Sequence, residues 1–215
     1  MIDTKLLLDF IAALPVLLVS LAFHELAHGA AAAALGDPTA RLSGRLTLNP
    51  LRHLDLYGSG MLVLTFLLSQ GSLVFGWAKP VPIDMRMLRH PQRDMVLVGA
   101  AGPLANLLMV AIAGGLMNIT VHYSQFVTNV LSMVFVINLV LALINLIPIP
   151  PLDGSRIVGG LIPPRLYPRW LSLDRYGMFA ILALLLIAQR SGVFSSILDG
   201  AVRGAARILL PGWQV

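Results

Sequence analysis

Residues 95–152 contain no Asp, Glu, Lys or Arg, and residues 10–36 contain one, Glu25. Stretches this long and this apolar cannot be shared out between the core and surface of a soluble domain. In lipid each backbone N–H and C=O must be satisfied within the chain, which restricts such segments to helices. With 57% of its 215 residues hydrophobic and 12% charged, the chain reads as a polytopic, all-α membrane protein. The net charge of +5 comes from cations that flank the apolar segments. They read as topology signals rather than a nucleic-acid surface. There is no cysteine, so disulfides and thiolate metal sites are excluded.

The lone charge in the first apolar run sits in His24-Glu25-Leu26-Ala27-His28. Two histidines four apart lie one above the other on a helix face, so both imidazoles can reach one Zn²⁺ with Glu25 beside an activated water. An unpaired Glu at mid-bilayer costs about 2.5 to 3.5 kcal/mol. A bound cation offsets that cost, which favours a metal site over a chance recurrence of the motif. A hydrolytic zinc needs three protein ligands and an open position. Asp153 is the candidate third ligand, because it follows a span broken by Pro148, Pro150 and Pro151 and precedes Gly154. Backbone broken at membrane depth is tolerated where it lines a cavity or is buried in protein. Asn106 and Asn145 also stand inside apolar spans. From spacing alone each reads as an interhelical hydrogen bond; the alternative is a donor to the oxyanion of an attacked carbonyl.

The first span is expected over residues 6–35, with Pro15 inside and Gly36-Asp37-Pro38 ending it. Residues 41–48 alternate polar with apolar or Gly, the period of a strand with one buried face. Residues 76–84 carry Pro80 and Pro82 and cannot be helix interior; they read as an extended segment or a hairpin arm. The apolar run 61–75 is short for a crossing. Residues 95–152 divide at the polar patch 118–125 into two antiparallel spans. A last apolar segment covers 176–189, and residues 191–215 read as an amphipathic helix, apolar from Phe194 to Leu209 with Asp199, Arg203 and Arg207 opposite. The domain reading is therefore 1–190 for the membrane unit and 191–215 for that helix. Arg41, Arg45 and Arg52, then Lys79, Arg86, Arg89 and Arg93, then Arg156, Arg165, Arg169 and Arg175 occupy three loops, whereas the turn near residues 118–125 has no cation. All three basic loops are cytoplasmic only if 61–75 dips in and returns. His53, beside Asp55, and His90 and His122 are expected at the surface, and Trp77, Trp170 and Trp213 at the membrane interface.

Taken together, His24-Glu25-Leu26-Ala27-His28, Gly102-Pro103-Leu104-Ala105-Asn106 and Asn145-Leu146-Ile147-Pro148 through Leu152-Asp153-Gly154 resemble the site-2 protease family of intramembrane zinc metalloproteases. The resemblance implies one Zn²⁺ per chain held by His24, His28 and Asp153, with Glu25 activating water. It implies that Asn106 and Asn145 contact substrate or the oxyanion, and that residues 41–48 and 77–83 form a membrane-associated β-hairpin or small sheet beside the site. The expected activity is hydrolysis of peptide bonds in membrane-embedded protein substrates. The expected setting is a multi-pass protein of the cell membrane whose site opens to the cytoplasmic side. No nucleic-acid partner is expected, and the sequence leaves the oligomeric state open. The chain departs from many family members in leaving no room for a PDZ domain or a CBS pair, in the insert 56–75, and in Ser155, where a second Gly is frequent. A competing reading is a membrane zinc transporter or inactive receptor using the same three ligands. It fits less well, because transport favours ionisable groups spread along a path.

Overall fold

A computed structural model describes residues 3–71 and 74–210, with backbone alone for 188–190 and 193–195. Helix α1 (Thr4–Ala34) is 31 residues long, about 46 Å at 1.5 Å per residue. Its first turn is capped by the Asp3 carboxylate, which accepts from the Lys5 N–H at 3.0 Å. It stops at Gly36, whose φ of +112° is open to glycine and strained for other residues. The next residue, Asp37, is fully buried. One of its carboxylate oxygens accepts from the Thr39 N–H at 2.9 Å and the other from the Asp84 N–H at 2.7 Å. One side chain thus ties the end of the first span to a segment 47 positions later.

That capping overturns the strand expected at 41–48. Asp37 and Pro38 start a short helix, α2 (Thr39–Leu42), and Gly44, at φ +65°, turns the chain before it can run straight. Residues 45–49 form no strand; the Arg45 N–H goes to the Ala40 carbonyl at 2.9 Å and the Thr47 N–H to the Arg45 carbonyl at 3.0 Å. The alternation that suggested a buried face does not bury one, since Leu42 and Leu48 are 81% and 50% exposed. The arm at 77–83 is extended as its prolines require, yet it forms no ladder. Its free amides go elsewhere: Lys79 N–H to the His53 carbonyl at 2.8 Å and Val81 N–H to Glu25 Oε2 at 2.8 Å. Pro80 and Pro82 have none to give. There is no β-strand among the described residues, and the fold is all-helical.

Helix α3 (Leu56–Ser69), capped by the Asp55 carboxylate at the Gly58 N–H, is 14 residues long. At about 21 Å it falls short of a ~30 Å hydrocarbon core. Phe66 stacks on Phe10 of α1 with ring centroids 3.9 Å apart. After Gln70 and Gly71 the chain comes back alongside α3. The Thr65 hydroxyl accepts from the Phe75 N–H at 2.9 Å and lies 3.1 Å from the Phe75 carbonyl. A Cβ on Gly58 would stand 2.0 Å from the Trp77 carbonyl, and one on Gly76 would stand 2.6 Å from Leu62 Cβ. Two glycines thus let backbone lie on backbone, and the Lys79–His53 bond closes the loop where it began. The chain after α3 thus returns to where α3 began.

Helices α4 (Pro91–Thr120) and α5 (Gln125–Asn145) form an antiparallel hairpin. With α1 they are the three helices long and apolar enough to cross a membrane among the described residues. Pro91 occupies the first turn of α4, where its missing N–H costs nothing, and Asp94 caps the His90 N–H at 2.7 Å. The chain then breaks and resumes in α6 (Asp153–Gly159), α7 (Tyr167–Leu171), α8 (Asp174–Ser191) and α9 (Val193–Leu209). Gly154 permits the tight re-entry, because a Cβ there would meet the Leu146 carbonyl at 2.3 Å. Arg156 pairs with Asp174, fastening α6 to α8. The amphipathic helix α9 turns its C-terminal half onto the hairpin: Ala206 and Leu210 are buried with Val110, Ala113, Met117, Phe135 and Leu139. Asn118 of α4 donates to the Leu209 carbonyl at 2.8 Å. Residues 211–215 of the expected C-terminal helix, Trp213 among them, lie outside the described residues.

Candidate metal centre

The centre of α1 faces α4 and α6. His24 and His28 are 4% and 7% exposed, with their rings edge to face. They fit against α4 because position 102 has no side chain: a Cβ there would lie 2.3 Å from His28 Nε2 and 2.6 Å from His24 Cε1. Asp153, at the start of α6, brings Oδ2 to 3.1 Å from His24 Nε2 and 3.2 Å from His28 Nε2, and the two nitrogens are 3.0 Å apart. Among the described residues these three form the one group of His, Cys, Asp or Glu side chains close enough to share a metal ion.

The protonation of the rings follows from what lies on their other side. His28 Nδ1 is 2.6 Å from the Val98 carbonyl, which can only accept. His24 Nδ1 is 2.6 Å from Asn106 Oδ1, and the Asn106 amide nitrogen already donates to Asn138 Oδ1 at 2.7 Å. Both Nδ1 atoms therefore carry the proton in the neutral ring, and both Nε2 atoms present lone pairs. With both rings neutral, two nitrogen lone pairs and a carboxylate oxygen converge at 3.0 to 3.2 Å. Such a set repels itself unless a cation sits among the three atoms. Tetrahedral zinc with N and O ligands at ~2.0–2.1 Å separates those ligands by roughly 3.3 Å. The donor set and its spacing fit that ion.

Glu25, between the two histidines in sequence, is half-buried, and its Oε2 accepts from the Val81 N–H at 2.8 Å. The arm at 77–83 is seated there by its side chain as well. Val81 is buried, 3.1 Å from where a Gly29 Cβ would stand, one turn beyond Glu25. Asn106 is fully buried, and its partners are His24 and Asn138. Asn145, half-buried in the last turn of α5, donates to the Leu141 carbonyl of its own helix at 2.9 Å.

Two neighbours escaped the reading of the sequence. Asn138 and Ser20 are fully or almost fully buried and continue the hydrogen bonds behind His24. Asn138 precedes Asn145 by seven positions, the same face of α5, and that spacing was the available signal. His53 is not at the surface. It is 2% exposed, and its Nε2 is 2.9 Å from the Thr47 carbonyl instead of pairing with Asp55. His90 and His122 are exposed as expected. The Trp170 indole N–H donates to the Ser155 carbonyl at 2.9 Å, so its polar end is used inside the protein.

Comparison with known proteins shows the family. Residues 109–188 match the model of peptidase family M50, a span that includes Asn138, Asn145 and Asp153 but not His24 or His28. Over 192 residues the chain is 36% identical to YwhC of Bacillus subtilis (strain 168), named as a candidate zinc metalloprotease, covering 85% of this chain and 84% of that one. It is 30% identical over 176 residues to Rip2 of Mycolicibacterium smegmatis, named in the same way, covering 79% of this chain and 64% of that one. No solved structure matches the chain. Similarity of this extent to YwhC across most of both chains means that the protein belongs to peptidase family M50, the site-2 protease family, and is a zinc metalloprotease with membrane-spanning helices.

Proposed function

We propose that the protein hydrolyses peptide bonds in membrane-embedded protein substrates, with one zinc ion held by His24, His28 and Asp153 and with Glu25 as the general base. The observation that carries this reading is the convergence of three lone-pair donors at 3.0 to 3.2 Å from two elements 125 positions apart. Bound there, zinc supplies Lewis acidity and brings the pKa of a water towards ~7. The remaining steps belong to side chains. Glu25, anchored through Oε2 by the Val81 amide, keeps Oε1 for the proton of the attacking water and later returns it to the leaving amine. Gly102 and Asn106 hold the imidazoles in place from α4. We assign Asn145, half-buried beside the break that leads to Asp153, to substrate or oxyanion contact, and Asn106, which has no exposed surface, to the support of His24.

A helical substrate hides its carbonyls in i to i+4 hydrogen bonds and must unwind before one can be attacked. Substrates with a weak helix at the cleavage site are therefore favoured. The positive-inside count of basic loops puts the substrate entry on the cytoplasmic side of the membrane. The test is Glu25→Gln in protein purified with its metal. Zinc content should stay at one ion per chain while cleavage of a single-span model substrate stops. Proteolysis at the wild-type rate in that variant would refute the role of Glu25, and wild-type protein free of zinc would refute the site itself. Comparative membrane proteomics of cells carrying wild type or Glu25→Gln should reveal natural substrates as single-span proteins that accumulate.

A further inference from the structure

Behind the metal ligands lies a line of buried polar groups of which the proteolytic reading uses only Asn106, as the support of His24. Ser20 of α1, Asn138 of α5 and Asn106 of α4 are 1%, 0% and 0% exposed. The Asn138 amide nitrogen is 2.8 Å from Ser20 Oγ and 2.8 Å from the Val134 carbonyl. Asn138 Oδ1 accepts from the Asn106 amide nitrogen at 2.7 Å, and Asn106 Oδ1 faces His24 Nδ1 at 2.6 Å. Three membrane helices are joined by these bonds, in a region where each unpaired polar group carries a desolvation penalty.

The direction of the line is not free. A side-chain amide can flip and exchange its donor and acceptor ends, and an isolated Asn beside His24 could present either. The Val134 carbonyl can only accept, so the group of Asn138 that meets it must be NH₂. That leaves oxygen for Asn106, which must therefore give its own NH₂ to Asn138 and turn its oxygen to His24. His24 is obliged to carry its proton on Nδ1, and its Nε2 lone pair is left for the metal. Had Asn106 stood the other way round, its NH₂ would face Nδ1, the ring proton would move to Nε2, and the ligand atom would be blocked.

We infer that Asn138 is a positioning residue for the metal centre: anchored on the Val134 carbonyl, it sets the polarity of Asn106 and through it the tautomer of His24. The inference rests on His24 being a zinc ligand. It makes α5 part of the metal site, although α5 supplies no ligand, and accounts for a buried Asn in a span that packing alone would fill with Leu.

The experiment uses full-length protein in detergent and measures zinc affinity by competition with a chromophoric chelator. Asn138→Leu removes the anchor and should weaken zinc binding on the order of 10- to 100-fold, the range found when support of a ligating histidine is lost. Asn106→Asp offers oxygen to His24 whichever way it turns, so it should bind zinc within about threefold of the Asn106→Asp/Asn138→Leu double variant. An equal loss from Asn138→Leu in both backgrounds would mean that Asn138 only fills space, and no loss in either would mean that it does nothing for the metal; both overturn the inference while leaving the zinc site standing. Wild-type protein that binds no zinc would overturn the site and the inference together. A further readout needs no variant. In ¹⁵N-histidine spectra of metal-free wild type, His24 Nδ1 should be protonated, and an unprotonated Nδ1 would overturn the proposal even if Asn138→Leu failed to fold.

Discussion

Replacing Gly102 by alanine tests the metal centre through a single methyl group. Within a helix this exchange ordinarily stabilises by about 1 kcal/mol, because Ala is the best helix former and Gly among the worst. Here the added Cβ would stand 2.3 Å from His28 Nε2 and 2.6 Å from both Cε1 atoms. Ordinary contact between such atoms is ~3.5–4.0 Å, so the rings must retreat by roughly 1 Å or more. They have little freedom to do so, since His28 is tied to the Val98 carbonyl and His24 to Asn106. A displacement of that size separates two of the three ligand atoms from any common centre. Zinc affinity should fall by about 100-fold or more, roughly 2.7 kcal/mol at 1.36 kcal/mol per tenfold. Chelator competition on purified protein reads the loss directly. Gly115→Ala on the same helix is the control, because nothing lies within 4 Å of its Cβ; it should leave zinc binding unchanged and stability equal or slightly raised. Should Gly102→Ala hold zinc as tightly as wild type, the packing of α4 on the imidazoles described above would be wrong.

Thr65→Val keeps shape but removes the hydroxyl that serves the Phe75 backbone, leaving a buried N–H without its partner. It should cost about 1–3 kcal/mol, seen as faster hydrogen exchange and proteolysis in the return segment with zinc content unaltered. Asp37→Ala removes the carboxylate shared by Thr39 and Asp84 and should lower the thermal midpoint while freeing the segment after the arm, measured by limited proteolysis. Stripping the metal with a chelator should lower the melting temperature, and zinc should restore it in proportion to its concentration; a melting temperature indifferent to zinc would contradict a site built in the folded state. Asn145→Ala should reduce kcat/KM with zinc retained, because no metal ligand depends on it.

The insert between α3 and the arm shows how a local rule can serve a tertiary purpose. Its apolar run is short for a crossing, and setting all three basic loops on one side calls for a return. What makes the return possible is the absence of side chains at Gly58 and Gly76, where the two backbones touch. The expected hairpin failed for an equally specific reason. Period-two alternation at 41–48 predicts a face to bury, but Asp37 captures the preceding turn and Gly44 reverses it. The prolines of the arm send its remaining amides to the Glu25 carboxylate and the His53 carbonyl rather than to a neighbouring strand.

What the sequence determined by itself was the set of apolar helices and the pairing of His24 with His28 on one helix face. Uncharged runs in lipid admit only helix, and a helix of 3.6 residues per turn must stack His24 over His28. Glu25 in such a run needed a partner, and the structure gives it the Val81 amide. The sequence could not determine which atoms meet. That depended on α4 and α6 arriving at α1, on Gly102 vacating the space for two rings, and on the orientation of two buried amides. Those amide orientations trace back to one helical carbonyl at Val134. Hydrogen-bond direction is a property of neighbours across helices, so only the assembled bundle could decide which nitrogen of His24 faces Asp153 and His28.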